Sequence, residues 1–233
     1  MSLKKSVGNM YEWVSHTHCH LGGECPHHCS YCYVDHFPFG RPKKYQGELR
    51  LIEKELSVNY GSGKTIFVEN CNDLFAEEVP QEFVHRVMRH CKEYPDNIYV
   101  FQTKNPARAF YVGKIRWPEN SILGCTIETN RQMHEISNAP DPDDRMYWMS
   151  MIEGRKFITI EPIMDFDVDI LASWIGRIRP EFVNIGADSK GHNLPEPTPE
   201  KVHALIAELN EYGIEIREKH NLERLFSAPT TIR

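Results

Sequence analysis

Short apolar runs alternate with amphipathic segments along almost the whole chain, and this alternation restricts the fold more than any other feature. "EWVSHT" (12–17), "KTIFVEN" (64–70), "NIYVFQT" (97–103), "SILGCTIE" (121–128), "KFITIEPI" (156–163) and "EFVNIGA" (181–187) read as six strands. Helical spacing intervenes. Leu49, Ile52 and Leu56 share one face of "GELRLIEKEL", and Val84, Val87, Met88 and Cys91 follow Pro80 at the same period, which makes Cys91 a core residue. A short helix is expected at "PARAFYV" and another at "DDRMYWMSMI". Ile170, Leu171, Trp174, Ile175 and Ile178 form an apolar stripe in "DVDILASWIGRI". The last helix opens at Thr198 and Pro199, closes at Gly213, and turns Val202, Leu205, Ile206 and Leu209 inward. Strands joined by helices pair in parallel through right-handed crossovers, with both sheet faces covered. The expected fold is therefore α/β, a partial (β/α)6 TIM-like barrel, because 233 residues fall short of the roughly 250 of a complete eightfold barrel.

Composition narrows the functional classes. With 40% hydrophobic and 26% charged residues the chain can bury a core, and without repeats, low-complexity tracts or linkers it is expected to form one domain, 1–233. No run approaches the roughly 18–20 apolar residues of a membrane helix, and "MSLKKSVGNMYEW" lacks the apolar core of a signal peptide, so a cytoplasmic location is expected. A net charge of −6 gives no electrostatic footprint for long nucleic acid. Seven cysteines are an odd number in a chain too long to need disulfide staples, which favours free thiols for metal binding or catalysis.

The thiols cluster in "GGECPHHCSYCYVDHF" (22–37), where Cys25, Cys29 and Cys32 fall within eight positions, directly after the first strand. In parallel sheets the loops at the carboxyl ends of the strands converge on one mouth, so this loop belongs there. Three close thiolates suit an iron-sulfur cluster that keeps one iron open to an outside ligand. Two other readings use the same stretch: a structural Cys3His zinc module completed by His28 or His36, or a metal-dependent hydrolase built on His16, His18 and His20. The second lacks partners at later strand ends, since His85, His90 and His203 fall in helices. "GSGKT" (61–65) precedes a strand rather than following one and is not a phosphate loop.

Cys25-x3-Cys29-Ser30-Tyr31-Cys32, with an aromatic residue before the last cysteine, resembles the signature of the radical S-adenosylmethionine (SAM) superfamily. "FVENCNDLFAEEVP", "VFQTKNP", "GCTIETN" and "ITIEPIMDF" extend the likeness to the compact phage-associated radical SAM proteins and, distantly, to the spore photoproduct lyases. The resemblance implies a cluster-binding loop at about 18–45, a 4Fe-4S cluster on Cys25, Cys29 and Cys32, SAM on the open iron, and a reductant such as flavodoxin or ferredoxin. It leaves open whether the reaction is of lyase, isomerase or transferase type.

SAM offers a carboxylate, an ammonium, a ribose diol and an adenine, and the strand ends carry matching groups. Lys104 can pair the carboxylate, Asn70 and Asp73 can accept from the ammonium, and Glu128 can accept from the ribose. Tyr31 and the backbone at Ile185 and Gly186 can sandwich the adenine, and Glu161 faces either SAM or the substrate. The superfamily's usual Gly-Gly-Glu is replaced here by Glu69-Asn70-Cys71-Asn72-Asp73. Cys71 and Cys125, beside strand ends, are candidates to return a hydrogen atom to a substrate radical, as a cysteine does in the photoproduct lyases. The resemblance implies a nucleobase or nucleic-acid derivative as substrate, with a peptide or small metabolite as the alternative; Tyr33, His36, Phe37, Phe39, Arg41, Lys43 and Lys44 near the mouth add groups that can stack a base and hold a phosphate.

Overall fold

The computed structural model describes residues 3–112 and 117–227. Its main sheet has eight strands: β1 (Lys4–Lys5), β2 (His16–His18), β5 (Thr65–Val68), β6 (Ile98–Thr103), β7 (Ser121–Thr126), β8 (Lys156–Ile160), β9 (Phe182–Ile185) and β10 (Glu215–Glu218), paired in that order. All neighbours run parallel except β1, which is antiparallel to β2 at the edge. The chain is thus mixed α/β with a mostly parallel sheet.

Seven parallel strands replace the expected six. "EIRE" was not legible as a strand because β10 is an edge strand with only two half-buried residues, so it carries no apolar run. The helix expected at "GELRLIEKEL" does not form. Leu51 and Arg50 instead pair with Leu21 and Gly22, as β4 (Arg50–Leu51) and β3 (Leu21–Gly22), and a 3-10 turn follows at Glu53–Ser57. A long-range pairing with the start of the cysteine loop outweighs the local helical period.

Helices α1 (Gln81–Lys92), α4 (Val168–Ile178) and α5 (Pro199–Glu211) fall where their stripes put them, α2 (Pro106–Val112) and α3 (Pro142–Met151) form where helices are expected, and a short α6 (Glu223–Ser227) follows that the sequence does not announce. Thr198 Oγ1 caps α5 by accepting from Lys201 N at 3.4 Å, and Val202, Leu205 and Leu209 are buried beneath it. In α4, Leu171, Ala172, Ile175 and Ile178 form the buried stripe, while Ile170 is 46% exposed, so it lies off the inward face. Cys91 is fully buried in α1, as its spacing requires. Among the described residues no helix is long and apolar enough to cross a membrane.

Strand alternation sorts the side chains into two layers. Ile66, Val68, Tyr99, Phe101, Leu123, Ile158 and Val183 join the core under the helices. The opposite residues, Phe67, Val100, Ile122, Phe157 and Phe182, pack against Tyr11 and Val14, with Met10 and Trp13 alongside. Gly124 makes this inner layer possible: a Cβ there would lie 2.2 Å from the Phe157 ring. Nearer the carboxyl ends the inner face turns polar. Tyr11 Oη donates to Gln102 Oε1 (2.8 Å) and lies 2.6 Å from Thr159 Oγ1, and Gln102 Nε2 donates to Thr126 Oγ1 (2.9 Å). This layer is the floor of the site.

Candidate active site

Above that floor a cavity of about 700 Å3 opens at the carboxyl ends of the strands. It is walled by the cysteine loop on one side and by residues 7–11 and the β8 and β10 ends on another. A second groove, of about 920 Å3, lies near the amino end of β8 and the end of α4, but no Cys, His, Asp or Glu lines it. Convergent titratable groups mark the first cavity as the candidate site.

Cys25, Cys29 and Cys32 are free, half-buried and line the same cavity. Their loop is held from two directions. His27, between the first two cysteines, places Nε2 2.8 Å from Asp73 Oδ2. Ser30 N donates to Ile136 O (2.8 Å), Asn138 N donates to His27 O (2.8 Å), and Ser137 Oγ lies 3.1 Å from Cys29 Sγ. Burial, reinforced by the Asp73 carboxylate, pushes the Cys25 thiol up to about 12, and burial also raises Cys32. Metal loading must therefore expel protons.

Among the described residues no three His, Cys, Asp or Glu side chains gather closely enough to hold one metal ion. A zinc ion needs such convergence on one centre, whereas a 4Fe-4S cluster takes one thiolate on each ligated iron. The three thiols on one wall are the donor type a 4Fe-4S cluster takes. Neither histidine joins them: His28 is exposed, and His36 Nε2 sits 2.9 Å from His192 Nε2. The hydrolase arrangement is not formed either. None of His16, His18 or His20 lines the cavity. His18 and His20 pack together with ring centroids 4.5 Å apart, and His20 bonds Glu69 and His90 (2.8 and 2.9 Å). Burial, with His20, Lys44 and His90 nearby, pushes His18 down to about 2, so it stays neutral.

Lys104 and Glu128, assigned from sequence to different parts of SAM, meet each other. Lys104 Nζ donates to Glu128 Oε1 at 2.7 Å and to Tyr31 Oη, and lies 4.4 Å from the Tyr31 ring centroid. Tyr31 Oη also donates to Glu128 Oε1. On the far side Arg145 Nη1 donates to Glu128 Oε2 at 2.8 Å. Glu128 has no exposed surface and does not line the cavity, whereas Lys104 and Tyr31 do. Burial opposes its ionisation, but Lys104 and Arg145 prevail and hold the carboxyl at about 2. Asp73 is likewise engaged: Oδ2 accepts from Thr103 Oγ1 (3.0 Å) and Lys104 N (2.8 Å) besides meeting His27, and Oδ1 accepts from Phe75 N (2.9 Å). Arg145 and His27 escaped the sequence reading. The available signal for Arg145 was its place four residues before buried Met149 on one face of α3.

Cys71 lines the cavity; Cys125, the other thiol expected there, is fully buried in the core under the helices. Strand alternation turns Cys125 away from the inner face on which Gly124 and Thr126 lie. Cys71 Sγ is 3.4 Å from Tyr33 Oη, and its backbone N–H donates to Cys19 Sγ at 3.4 Å. Hydrogen bonding from Cys19 outweighs burial and, with Tyr33 and Tyr45, lowers the Cys71 thiol to about 7. Asn70 is occupied by the same cluster, accepting from Cys19 Sγ (3.1 Å) and donating to Tyr33 Oη (3.0 Å).

Glu161 closes the opposite wall. Its Oε1 accepts from Asn9 Nδ2 (2.9 Å) and Asn221 Nδ2 (3.2 Å), and its Oε2 accepts from Lys219 Nζ (2.7 Å). Gly186 lies behind it and does not line the cavity; a Cβ there would stand 2.8 Å from Glu161 Oε1 and 3.0 Å from Asn221 Oδ1. At the rim Tyr33 and Phe37 face the cavity with centroids 6.0 Å apart, while Phe39 is fully exposed. The basic run expected to hold a phosphate is dispersed: Arg41 pairs with Asp35 (2.6 Å), and Lys44 Nζ turns inward to Cys19 O (2.6 Å) and Glu55 (3.0 Å).

The model of the family described as "Protein of unknown function (DUF5131)" matches residues 10–178. The chain belongs to this DUF5131 family. The match takes in the three cysteines, His27, Tyr31, Tyr33, Asp73, Lys104 and Glu161, but not residues 7–9, His192 or Lys219. No curated protein matches the DUF5131 chain in sequence. In structure it resembles a spore photoproduct lyase point mutant (TM-score 0.63, 10% identity, covering 93% of this chain and 80% of that one). It also resembles a spore photoproduct lyase mutant with bound AdoMet and dinucleoside spore photoproduct (TM-score 0.54, 11% identity, covering 90% and 66%). A third likeness is to Streptococcus suis SuiB bound to S-adenosylmethionine (TM-score 0.55, 8% identity, covering 93% of this chain and 52% of that one). The DUF5131 chain thus spans about half the length of SuiB. These neighbours are radical SAM enzymes, and at such identities the likeness is one of fold.

Proposed function

We propose that the cavity is the reaction chamber of a radical SAM enzyme. The observation that carries this reading is the placement of Cys25, Cys29 and Cys32 on one wall of the cavity at the strand ends, in a fold shared with radical SAM enzymes. Cys25, Cys29 and Cys32 would hold a 4Fe-4S cluster, which with SAM bound would supply reductive cleavage of SAM to methionine and a 5'-deoxyadenosyl radical. On this reading residues 1–233 form one radical SAM domain, with the sheet curling as a partial barrel around the chamber.

The chain's own groups divide the remaining work. His27, Asp73 and the 133–138 segment hold the thiol loop in place. Lys104 presents an ammonium toward the SAM carboxylate. It stays protonated because Glu128 and the cysteine loop outweigh the cost of its burial. Arg145 anchors Glu128 from behind, so the Lys104 side chain has a fixed base. Tyr33 and Phe37 at the rim cover the chamber against water and offer a flat surface to an aromatic substrate. Cys71 is the hydrogen-atom donor of the chamber: its S–H bond breaks as a substrate C–H bond forms, which requires the thiol and is favoured below the Cys71 value of about 7.

The substrate is a nucleobase or a nucleic-acid derivative, supported by the aromatic rim and by a charge of −6 that disfavours a long duplex. A flavodoxin- or ferredoxin-type protein supplies the electron. The test is release of 5'-deoxyadenosine from SAM by the anaerobically reduced protein. Cys29→Ala should abolish it and Cys91→Ala should not; equal loss in both contradicts the assignment of ligands.

A further inference from the structure

We infer that Glu161, Lys219 and Asn9 form a recognition site, distinct from the thiol wall, for a neutral ligand that presents an N–H beside a C=O on one edge, as a lactam or cyclic imide does. The inference rests on the cavity being a reaction chamber and names what its second wall binds. Lys219 follows β10 directly, Asn9 lies in the segment before β2, and Glu161 follows β8. Lys219 Nζ donates to Asn9 O at 2.6 Å, so this cluster joins the β10 end to the N-terminal segment and fixes the far wall.

Counting donors and acceptors gives the ligand's chemistry. An ammonium has three N–H groups, and Lys219 uses two, on Asn9 O and Glu161 Oε2. Glu161 Oε1 receives two amide donors and is filled, whereas Oε2 receives only Lys219 and keeps a lone pair. Asn9 Oδ1 is buried and has no hydrogen-bond partner among the described residues. All three side chains line the cavity, and the ion pair keeps only 11% and 18% of its side-chain surface. Asn9 Oδ1 is closed off from the cavity, so the wall offers a ligand one donor, on Lys219, beside one acceptor, Glu161 Oε2, in a place where unmet groups are costly.

Charge and shape narrow the class further. The Lys219 and Glu161 charges cancel, so neither an anion nor a cation gains a net partner. A cis amide meets a donor and an acceptor on one edge, because its N–H and C=O point the same way. A trans peptide amide points them apart and can satisfy only one at a time. Pro162, Met10 and Phe67 add apolar surface around these groups, suited to a flat ring.

The test uses the full chain with its cluster reconstituted and SAM present. Three probes are titrated by calorimetry: uridine, 3-methyluridine, in which the imide N–H is replaced, and N-acetylglycine methylamide, which has only trans amides. Uridine should bind at least about tenfold more tightly than either other probe. Glu161→Gln, Lys219→Met and Asn9→Ala should each remove that preference and leave SAM affinity unchanged. Equal binding of uridine and 3-methyluridine, a preference for the diamide, or no uridine binding overturns the inference. So does a loss of SAM affinity in the Glu161→Gln and Asn9→Ala proteins with uridine binding intact. Iron and SAM binding are measured on the same samples. Their absence alongside an intact uridine preference would refute the radical SAM reading and leave this site standing.

Discussion

Two glutamates at neighbouring strand ends, Glu128 after β7 and Glu161 after β8, each carry a lysine, yet they are built for different work. Glu128 is fully buried, and Lys104, Tyr31 and Arg145 occupy both oxygens. Glu161 is bound by Lys219 and two amides, keeps 18% of its surface, and faces the cavity with a lone pair spare. Satisfied polar groups make a strut, and partly satisfied ones at a cavity make a binding surface. The thiol side is held rigid, and the far side is left open.

Arg145 carries the largest expected effect. Arg145→Met leaves the sealed carboxylate with a single cation and should cost about 3–5 kcal/mol in urea unfolding, while Glu161→Gln should cost only about 1–2 kcal/mol. Similar costs for both would erase the distinction. The pH dependence sharpens it. The folded value of Glu128, about 2, lies below its ordinary 4.5, so its contribution is complete above about pH 4.5 and is lost as pH falls toward 2. The urea-midpoint gap between wild type and Glu128→Gln should therefore narrow from pH 5 to pH 3; a constant gap would contradict the strut.

A smaller effect separates positioning from binding. If Ser137 Oγ donates to the Cys29 sulfur in the loaded protein, Ser137→Ala should make the cluster's reduction potential more negative by about 40–60 mV, the equivalent of one hydrogen bond. Redox titration followed by electron paramagnetic resonance reads this, and an unchanged potential removes Ser137 from the sulfur's surroundings. The smallest effect concerns the open side. Iodoacetamide should alkylate Cys71 with a rate that rises through about pH 7, where its thiolate forms, and should leave Cys125 untouched in the folded chain. Mass mapping of the modified cysteines decides the matter.

What was legible in the sequence was local. Helices α1, α4 and α5 announce themselves because their buried residues recur within one segment, and the three cysteines fall within eight positions. What was hidden depends on distant partners. "GELRLIEKEL" carries a helical period but is captured by pairing with Leu21 and Gly22, and β10 has no apolar run because it is an edge. Lys104 and Glu128 could be placed at strand ends but not joined, since neither shows that Arg145 completes their pair. His27 bonds Asp73 across 46 positions and Lys219 bonds Glu161 across 58, separations at which no spacing rule applies. Cys125 was misplaced by a single step of strand alternation.

Whether Cys25, Cys29 and Cys32 hold one cluster is read from iron and acid-labile sulfide per chain after anaerobic reconstitution, with electron paramagnetic resonance of the reduced protein before and after SAM is added. About four irons and four sulfides, a signal that shifts with SAM, and loss of both in Cys25→Ala, Cys29→Ala and Cys32→Ala but not in Cys91→Ala are the predicted result. One zinc per chain without sulfide, or full cluster content after the three cysteines are replaced, would contradict it.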